Sequence, residues 1–330
     1  MSRLSLSFAV GNYDRTRPLI DGEVQIDGVD PVFLRLEPEE IFFRAFRHGE
    51  FDVCEMSLSS TTVAVSEGRA NYVGIPAFLS RAFRHTGIYI RTDRGIDRPQ
   101  DLKGRRIGLP EYQLTACVWI RSMLEDEYGV KPSDVTWVRG GVEDPGRLEK
   151  IDLNLPPDVV LEAAPADRSL SMMLADGEID AIVAPRPPSC FERGAPNVDW
   201  LFPDPMEAAM GYYSRTKLFP IMHVLGVRRE LVEKHGFLPA SILKAFTAAK
   251  DIAVRRLIDN SATKVTLPFI EEQVGRAQTV MGADYWSYGV DANRHVLDTF
   301  LRHHHAQGLS RRRVEVEELF HPSTLETVKI

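Results

Sequence analysis

The sequence predicts a two-lobed α/β protein, and three observations carry that expectation. Strand-like and helix-like stretches alternate from one end of the chain to the other. A nine-residue unit that leaves a helix and opens a strand occurs twice. At 330 residues, 44% hydrophobic and 26% charged, the chain has a globular composition and is long enough for two domains of about 100–200 residues.

The first strand reads at Leu4–Val10, where Leu4, Leu6 and Phe8 alternate with Ser5 and Ser7. A secretory leader needs a continuous apolar run, so this segment is expected in the mature fold and the chain in the cytosol. Helix-like spacing follows at 38–47 and a strand at 52–56. Further strands are expected at 87–91, 106–109, 180–184 and 224–227, and helices at 114–128, 169–174, 239–258 and 292–305. The helix from Leu114 is the clearest of these. Ala116, Trp119, Ile120, Met123 and Leu124 share one face, and Gly129 supplies a stop.

The repeated unit is Ala45-Phe-Arg-His-Gly-Glu-Phe-Asp-Val53 against Met173-Leu-Ala-Asp-Gly-Glu-Ile-Asp-Ala181, 128 residues apart. Each ends a helix at a glycine and opens a strand, which suggests two lobes of one design. Between them, Ile96-Asp-Arg-Pro-Gln-Asp-Leu-Lys-Gly104 leads into Arg106–Leu109. That segment resembles the opening of the second lobe in type II periplasmic-binding-protein folds. The resemblance implies a discontinuous first lobe, residues 1–87 and 221–330, around a second lobe of residues 88–220. Crossovers are then expected near 87–91 and 219–227. Ligands of open α/β sheets bind beyond the carboxyl ends of the strands, so a cleft between the lobes is the expected site.

Charge and motifs narrow the function classes. Forty basic against 47 acidic residues give a net charge of −7, which argues against a nucleic-acid binder. No apolar run reaches the length of a membrane span. Cys54, Cys117 and Cys190 are scattered and read as buried thiols, not a disulfide framework or a zinc ribbon. Gly-x-Gly-x-x-Gly, the phosphate-binding loop, His-Glu-x-x-His and Gly-x-Ser-x-Gly are all missing, so neither a cofactor nor a metal is expected. His303-His304-His305 reads as a cationic last helical turn. Homo-oligomerisation is left open.

Five stretches are more specific: Gly11-Asn-Tyr-Asp-Arg-Thr-Arg-Pro18, Ser80-Arg-Ala-Phe-Arg-His85, Pro110-Glu-Tyr-Gln-Leu-Thr-Ala116, Phe219-Pro-Ile-Met-His223 and Tyr288-Gly-Val-Asp-Ala-Asn293. Together they resemble the 4,5-dihydroxyphthalate decarboxylase family, and Gln307-Gly-Leu-Ser310 extends the match toward the C-terminus. The resemblance implies a cytosolic decarboxylase of a hydroxylated aromatic acid, taking 4,5-dihydroxyphthalate to protocatechuate with loss of CO2. The other reading is a substrate-binding protein of an ABC-type uptake system for an organic anion.

The chemistry of the candidate residues suits a small aromatic dicarboxylate. Arg81 and Arg84, with His85, offer forked donors to its carboxylates. The turn at Glu111, Tyr112, Gln113 and Thr115 opens the best helix, where free backbone N–H groups bind anions. Tyr13, Asp14, Arg15 and Thr16 follow the first strand. Ser57 and Ser59 follow the strand of the first repeat, and Arg186 that of the second. His223 lies in an apolar crossover. Decarboxylation through a para hydroxyl needs a base at that hydroxyl and an acid at the ring carbon. Glu111 or a histidine is the candidate base, and His85 or His223 the candidate acid.

Overall fold

The computed structural model describes residues 3–259 and 261–326. The chain divides into two compact units. The first comprises 1–81, 221–298 and 314–330, and the second 82–220 and 299–313.

The first unit opens with β1 (Leu4–Val10), α1 (Arg17–Ile20), β2 (Val29–Arg35), α2 (Pro38–His48), β3 (Val53–Ser57), α3 (Leu58–Ser66) and β4 (Tyr72–Arg81). The second runs through β5 (Ile88–Arg91), β6 (Arg106–Leu109), α4 (Thr115–Tyr128), β7 (Thr136–Arg139), β8 (Val160–Ala163) and α5 (Leu170–Asp176). It continues with β9 (Ala181–Val183), α6 (Ser189–Glu192), β10 (Val198–Trp200) and α7 (Pro205–Thr216). The remainder holds β11 (Ile221–Arg228), α8 (Arg229–Lys234), α9 (Leu238–Ile258), α10 (Ile270–Met281), α11 (Arg294–Ala306) and α12 (Val316–Leu319). Among the described residues no helix is long and apolar enough to cross a membrane.

Each unit is built on one mixed sheet, ordered β2-β1-β3-β11-β4 in the first and β10-β5-β9-β6-β7-β8 in the second. In the first sheet β1 runs parallel to β2 and β3, while β11 runs antiparallel to β3 and β4. The α/β fold class read from the sequence is thus present in both halves. Phe8, Val53, Ile75 and Leu225 bury against Ile242, Phe246 and Ala249 of α9. In the second unit Val138, Leu170, Leu174 and Ile182 form the corresponding core.

The repeated unit does the same work twice. Gly49 and Gly177 cap α2 and α5 in the left-handed region, at φ 59° and 78°. Asp52 then accepts from the N–H and hydroxyl of Ser7 in β1, both at 2.9 Å. Asp180 accepts from the N–H of Arg106 in β6 at 2.9 Å. In both lobes the aspartate ties down the adjacent parallel strand, at the middle of β1 and at the first residue of β6.

Several elements escape a pattern reading, β4 above all. Pro76 and Gly74 interrupt its sequence, and Pro76 is accommodated because β4 lies at the edge of its sheet. The triple histidine falls in the last turn of α11, as expected. His303 is also 1% exposed, and its Nε2 sits 2.7 Å from the Asp126 carboxylate, so it is a buried tie between α11 and α4.

Candidate functional site

In the first unit, three strands bring polar side chains together at the carboxyl ends of β1 and β3. The centre is Glu55, in the middle of β3 and fully buried. Its Oε1 accepts the Tyr13 hydroxyl at 2.9 Å and faces Nδ1 of His223 at 2.5 Å. Its Oε2 accepts the backbone N–H of Gly11 at 3.0 Å. Gly11 is required here, because a Cβ at that position would lie 2.3 Å from the Tyr13 ring.

The electrostatics follow from those contacts. Burial works to raise the Glu55 carboxyl, but the bonds from His223, Gly11 and Tyr13 outweigh it and hold the group below the usual carboxylate range. Burial, and then the charge on Glu55, push the Tyr13 phenol well above its ordinary value, so it stays a donor. Nδ1 of His223 is committed to Glu55, which sets the tautomer. Its Nε2 has no hydrogen-bond partner among the described residues, and the ring is only half-buried, with Phe42 edge-on at 4.8 Å. A half-buried imidazole with one nitrogen anchored and the other available can transfer a proton to a bound molecule.

Around this relay, Arg15 is stacked between Tyr13 and Trp286, its guanidinium carbon 4.1 and 4.5 Å from the ring centres. Its Nε donates to the Leu79 carbonyl and its Nη1 pairs with Asp14. Thr16 is buried, and its hydroxyl staples the turn to the Gly11 carbonyl. Ser57 caps α3, and Ser59 is buried in its first turn. Arg81 closes β4 and donates to Asn293 Oδ1 at 2.9 Å and the Ser287 carbonyl at 3.1 Å, which fixes the 287–293 turn.

The remaining candidates lie in the second unit, so the sequence cluster Arg81, Arg84, His85 is divided between the two. His85 is 1% exposed, boxed by Phe202 and Tyr212, with neither ring nitrogen hydrogen-bonded among the described residues. Burial, with a smaller push from Arg215, lowers it to about 4, which favours the neutral imidazole near neutrality. Burial also lowers the Arg84 guanidinium, to about 10. Arg186 is exposed in the proline turn after β9.

The turn before α4 departs most from expectation. Its backbone N–H groups at Tyr112 and Gln113 are not free, because they donate to the two oxygens of Glu149 at 2.8 and 2.9 Å. Glu111 is 1% exposed, and its Oε1 is held by Arg147 at 2.5 Å and Lys150 at 3.2 Å. Thr115, also buried, begins the helix. Tyr112 stacks under Arg121, whose guanidinium carbon is 3.7 Å from the ring centre.

Two residues that organise these clusters were not singled out from sequence. Glu55 carries a signal, a lone carboxylate within an apolar strand, Val53-Cys-Glu-Met-Ser57. Glu149 carries none, since it lies 36 residues from the turn it occupies. Among the described residues no cluster of His, Cys, Asp and Glu has the form of a metal site.

Residues 37–152 match a family model described as NMT1/THI5 like. Over all 330 residues the chain is 61% identical to a 4,5-dihydroxyphthalate decarboxylase of Comamonas testosteroni, covering the whole of both. A 4,5-dihydroxyphthalate decarboxylase of Pseudomonas putida is 62% identical over 213 residues, 64% of this chain and 83% of that one. Among solved structures, the periplasmic aliphatic sulphonate binding protein SsuA of Escherichia coli matches with a TM-score of 0.54 at 13% identity, covering 100% of this chain and 96% of that one. The alkanesulfonate-binding protein SsuA of Xanthomonas axonopodis pv. citri gives 0.51 at 12% identity, with 97% and 99% covered. At such identities the likeness shows the two-lobed periplasmic-binding-protein fold and nothing further.

Proposed function

The chain belongs to the 4,5-dihydroxyphthalate decarboxylase family, and from that premise we propose that it removes one carboxylate of 4,5-dihydroxyphthalate as CO2 and leaves protocatechuate. The observation that carries this reading is 61% identity along the entire chain. Its substrate is an aromatic dicarboxylate, and its reaction is that of a carboxy-lyase.

The chemistry explains what the site must supply. Direct loss of CO2 would strand an electron pair in the ring plane as an aryl carbanion. Deprotonating the hydroxyl para to the departing carboxylate sends electron density to the carbon that bears it. An acid then adds a proton to that carbon, and the ring becomes a dienone. The bond to the carboxylate breaks, CO2 leaves, and its electron pair restores the aromatic ring and the phenolate. The phenolate then regains the proton that its hydroxyl gave up, so that one proton is consumed for each CO2 released.

We assign the protonation of the ring carbon to Nε2 of His223, which takes up a proton from solvent to form the imidazolium paired with the Glu55 carboxylate and passes that proton to the carbon. Supporting the assignment are the committed Nδ1, the buried Glu55 that orients the ring, and the half-buried position that lets Nε2 meet a ligand. Glu55 is a positioning residue in this scheme, and Tyr13 keeps it in place. A well-placed proton transfer contributes about 10²–10⁴-fold.

The test is incubation with 4,5-dihydroxyphthalate, following CO2 and protocatechuate, for the wild type and His223→Asn. The wild type should turn over, and the variant should retain binding while losing about 10²-fold or more in turnover. A wild type that binds the diacid and converts none would overturn the decarboxylase reading. Near-normal turnover in the variant would remove His223 from the chemistry and leave that reading standing.

A further inference from the structure

A cavity of about 260 Å³ lies wholly within the first unit, between α2, α3 and the start of β4. Phe46, Met56, Ala64 and Tyr72 wall it. Glu55 and Met56 are neighbours in β3, and successive side chains of a strand point to opposite faces, so the cavity backs onto the relay through the sheet. Protein interiors leave few voids larger than a water molecule, and an apolar hollow of about 150 Å³ is enough to take up benzene. The space beside Met56, a side chain that reshapes easily, has room for a substituted ring.

The polar groups around it define the chemistry of an occupant. Both wall hydroxyls already commit their protons, Thr61 to the Ser57 carbonyl and Tyr72 to the Phe51 carbonyl, each at 2.8 Å. A ring with hydroxyls of its own would bury its donors against an otherwise apolar wall, at a cost. At the rim stand Arg69 and Asn71, both exposed. Arg69 pairs through Nε with Glu67, and a guanidinium has N–H donors to spare for a second carboxylate.

The wall is also tied to the relay. The Met56 methyl lies over β11, where a Cβ on Gly226 would come within 2.2 Å of it. Phe46 is one turn along α2 from Phe42, which packs edge-on against His223. Thr61 holds the carbonyl of Ser57, the residue paired with His223 across the sheet.

We propose that this cavity is a second binding site, which takes a small aromatic monocarboxylate with its plain or alkylated ring among Phe46, Met56 and Ala64 and its carboxylate at Arg69. Dihydroxylated rings are disfavoured there. An occupant presses on Met56 and Phe46 and so lowers turnover without competing for substrate. That kinetic consequence rests on the decarboxylase reading, and the binding does not.

The probe is 4-methylbenzoate, set against the full-length wild type, Ala64→Leu to fill the cavity and Arg69→Ala to strip its rim. By calorimetry the wild type should bind it with a Kd of about 1 mM or tighter. Arg69→Ala should weaken binding about fivefold or more, and Ala64→Leu about tenfold or more, while protocatechuate binds wild type and Ala64→Leu alike. No binding to the wild type, or equal affinity in all three proteins, overturns the proposal. Should Ala64→Leu not fold, methyl-labelled methionine in the wild type decides. The Met56 methyl resonance, assigned with Met56→Leu, should shift under the ring current of the probe, and an unmoved resonance refutes the site. With 4,5-dihydroxyphthalate as substrate, the probe should lower kcat about twofold or more at unchanged KM. Purely competitive inhibition would put the probe in the catalytic site and overturn the proposal. A wild type without turnover would sink the decarboxylase reading and leave the binding measurements to decide this one.

Discussion

Replacing Glu55 by Gln tests whether His223 works through a buried partner. Glu55 accepts three donors: the Gly11 amide, the Tyr13 hydroxyl and His223 Nδ1. Alanine would leave all three unsatisfied at about 1–3 kcal/mol each. The total of about 3–9 kcal/mol rivals the whole stability of a domain. Glutamine is the usable probe. Its amide oxygen keeps two of the three bonds, while its amide nitrogen sets a donor against the third, a loss of about 1–3 kcal/mol. The fold should survive. Turnover should not, because an uncharged amide keeps the Nδ1 bond but no longer balances the charge on the ring as Nε2 exchanges its proton. We expect kcat to fall about 10²-fold with KM within about threefold, since Glu55 is fully buried and meets no ligand. The assay is protocatechuate formation beside a thermal melt. If the pair acts as a unit, Glu55→Gln placed on His223→Asn should lose little more than His223→Asn alone. A folded Glu55→Gln with kcat within about threefold of the wild type would refute the relay, whatever His223 does by itself.

Two further outcomes concern stability. His85 titrates near 4 in the fold against 6.5 in the free side chain, so between those values the unfolded chain binds the extra proton. Stability should therefore fall as pH drops from about 6.5 to about 4, by about 3 kcal/mol from this group, and level off below. Urea unfolding of the wild type and His85→Leu across that window should show a steeper fall in the wild type than in the variant, and equal slopes would count against the buried, neutral imidazole. Asp52→Ala removes a charged acceptor from both the amide and the hydroxyl of Ser7 and should cost about 1.5–3 kcal/mol by denaturant melt. A change under about 0.5 kcal/mol would show that the repeated aspartate does not anchor β1.

The sequence reads most clearly where one physical rule acts alone. Leu4–Val10 and Arg106–Leu109 emerge as strands at the bounds expected, because alternation or a short apolar run between turn residues suffices. Gly49, Gly129 and Gly177 stop their helices as expected of left-handed caps. Legibility fails where burial comes from elsewhere in the chain. β3 is buried along its whole length, so Glu55 does not face solvent as an alternating pattern would place it, and periodicity hides the one carboxylate that organises the site. The amides of Tyr112 and Gln113 look free by local rules and are occupied by a loop with no periodic signal of its own. Tyr13 and His223 both fall in stretches that mark the family, yet the residue joining them lies in neither.

That joining residue has to sit where it does, and the sheet order gives the reason. β3 lies between β1 and β11, so anything linking the end of one to the other must cross it. Tyr13 and His223 are 42 and 168 residues from Glu55 along the chain, and only lateral pairing brings them within hydrogen-bond reach of it. Direction matters as much as order. β11 runs antiparallel to β3, with His223 paired to Ser57, so the start of β11 meets the carboxyl end of β3. A parallel return strand would carry its first residues to the opposite edge of the sheet, some 15–20 Å away at about 3.3 Å per residue. The chain's re-entry into its first unit, a consequence of the discontinuous lobe, thus delivers a histidine to the end of the sheet where α/β folds bind ligands. A carboxylate buried in the central strand is tolerable only because both neighbouring strands supply it with donors. Losing either neighbour's contribution would leave a charge in the core, which ties the integrity of the first unit to the same Tyr13–Glu55–His223 contacts that position the proposed proton donor.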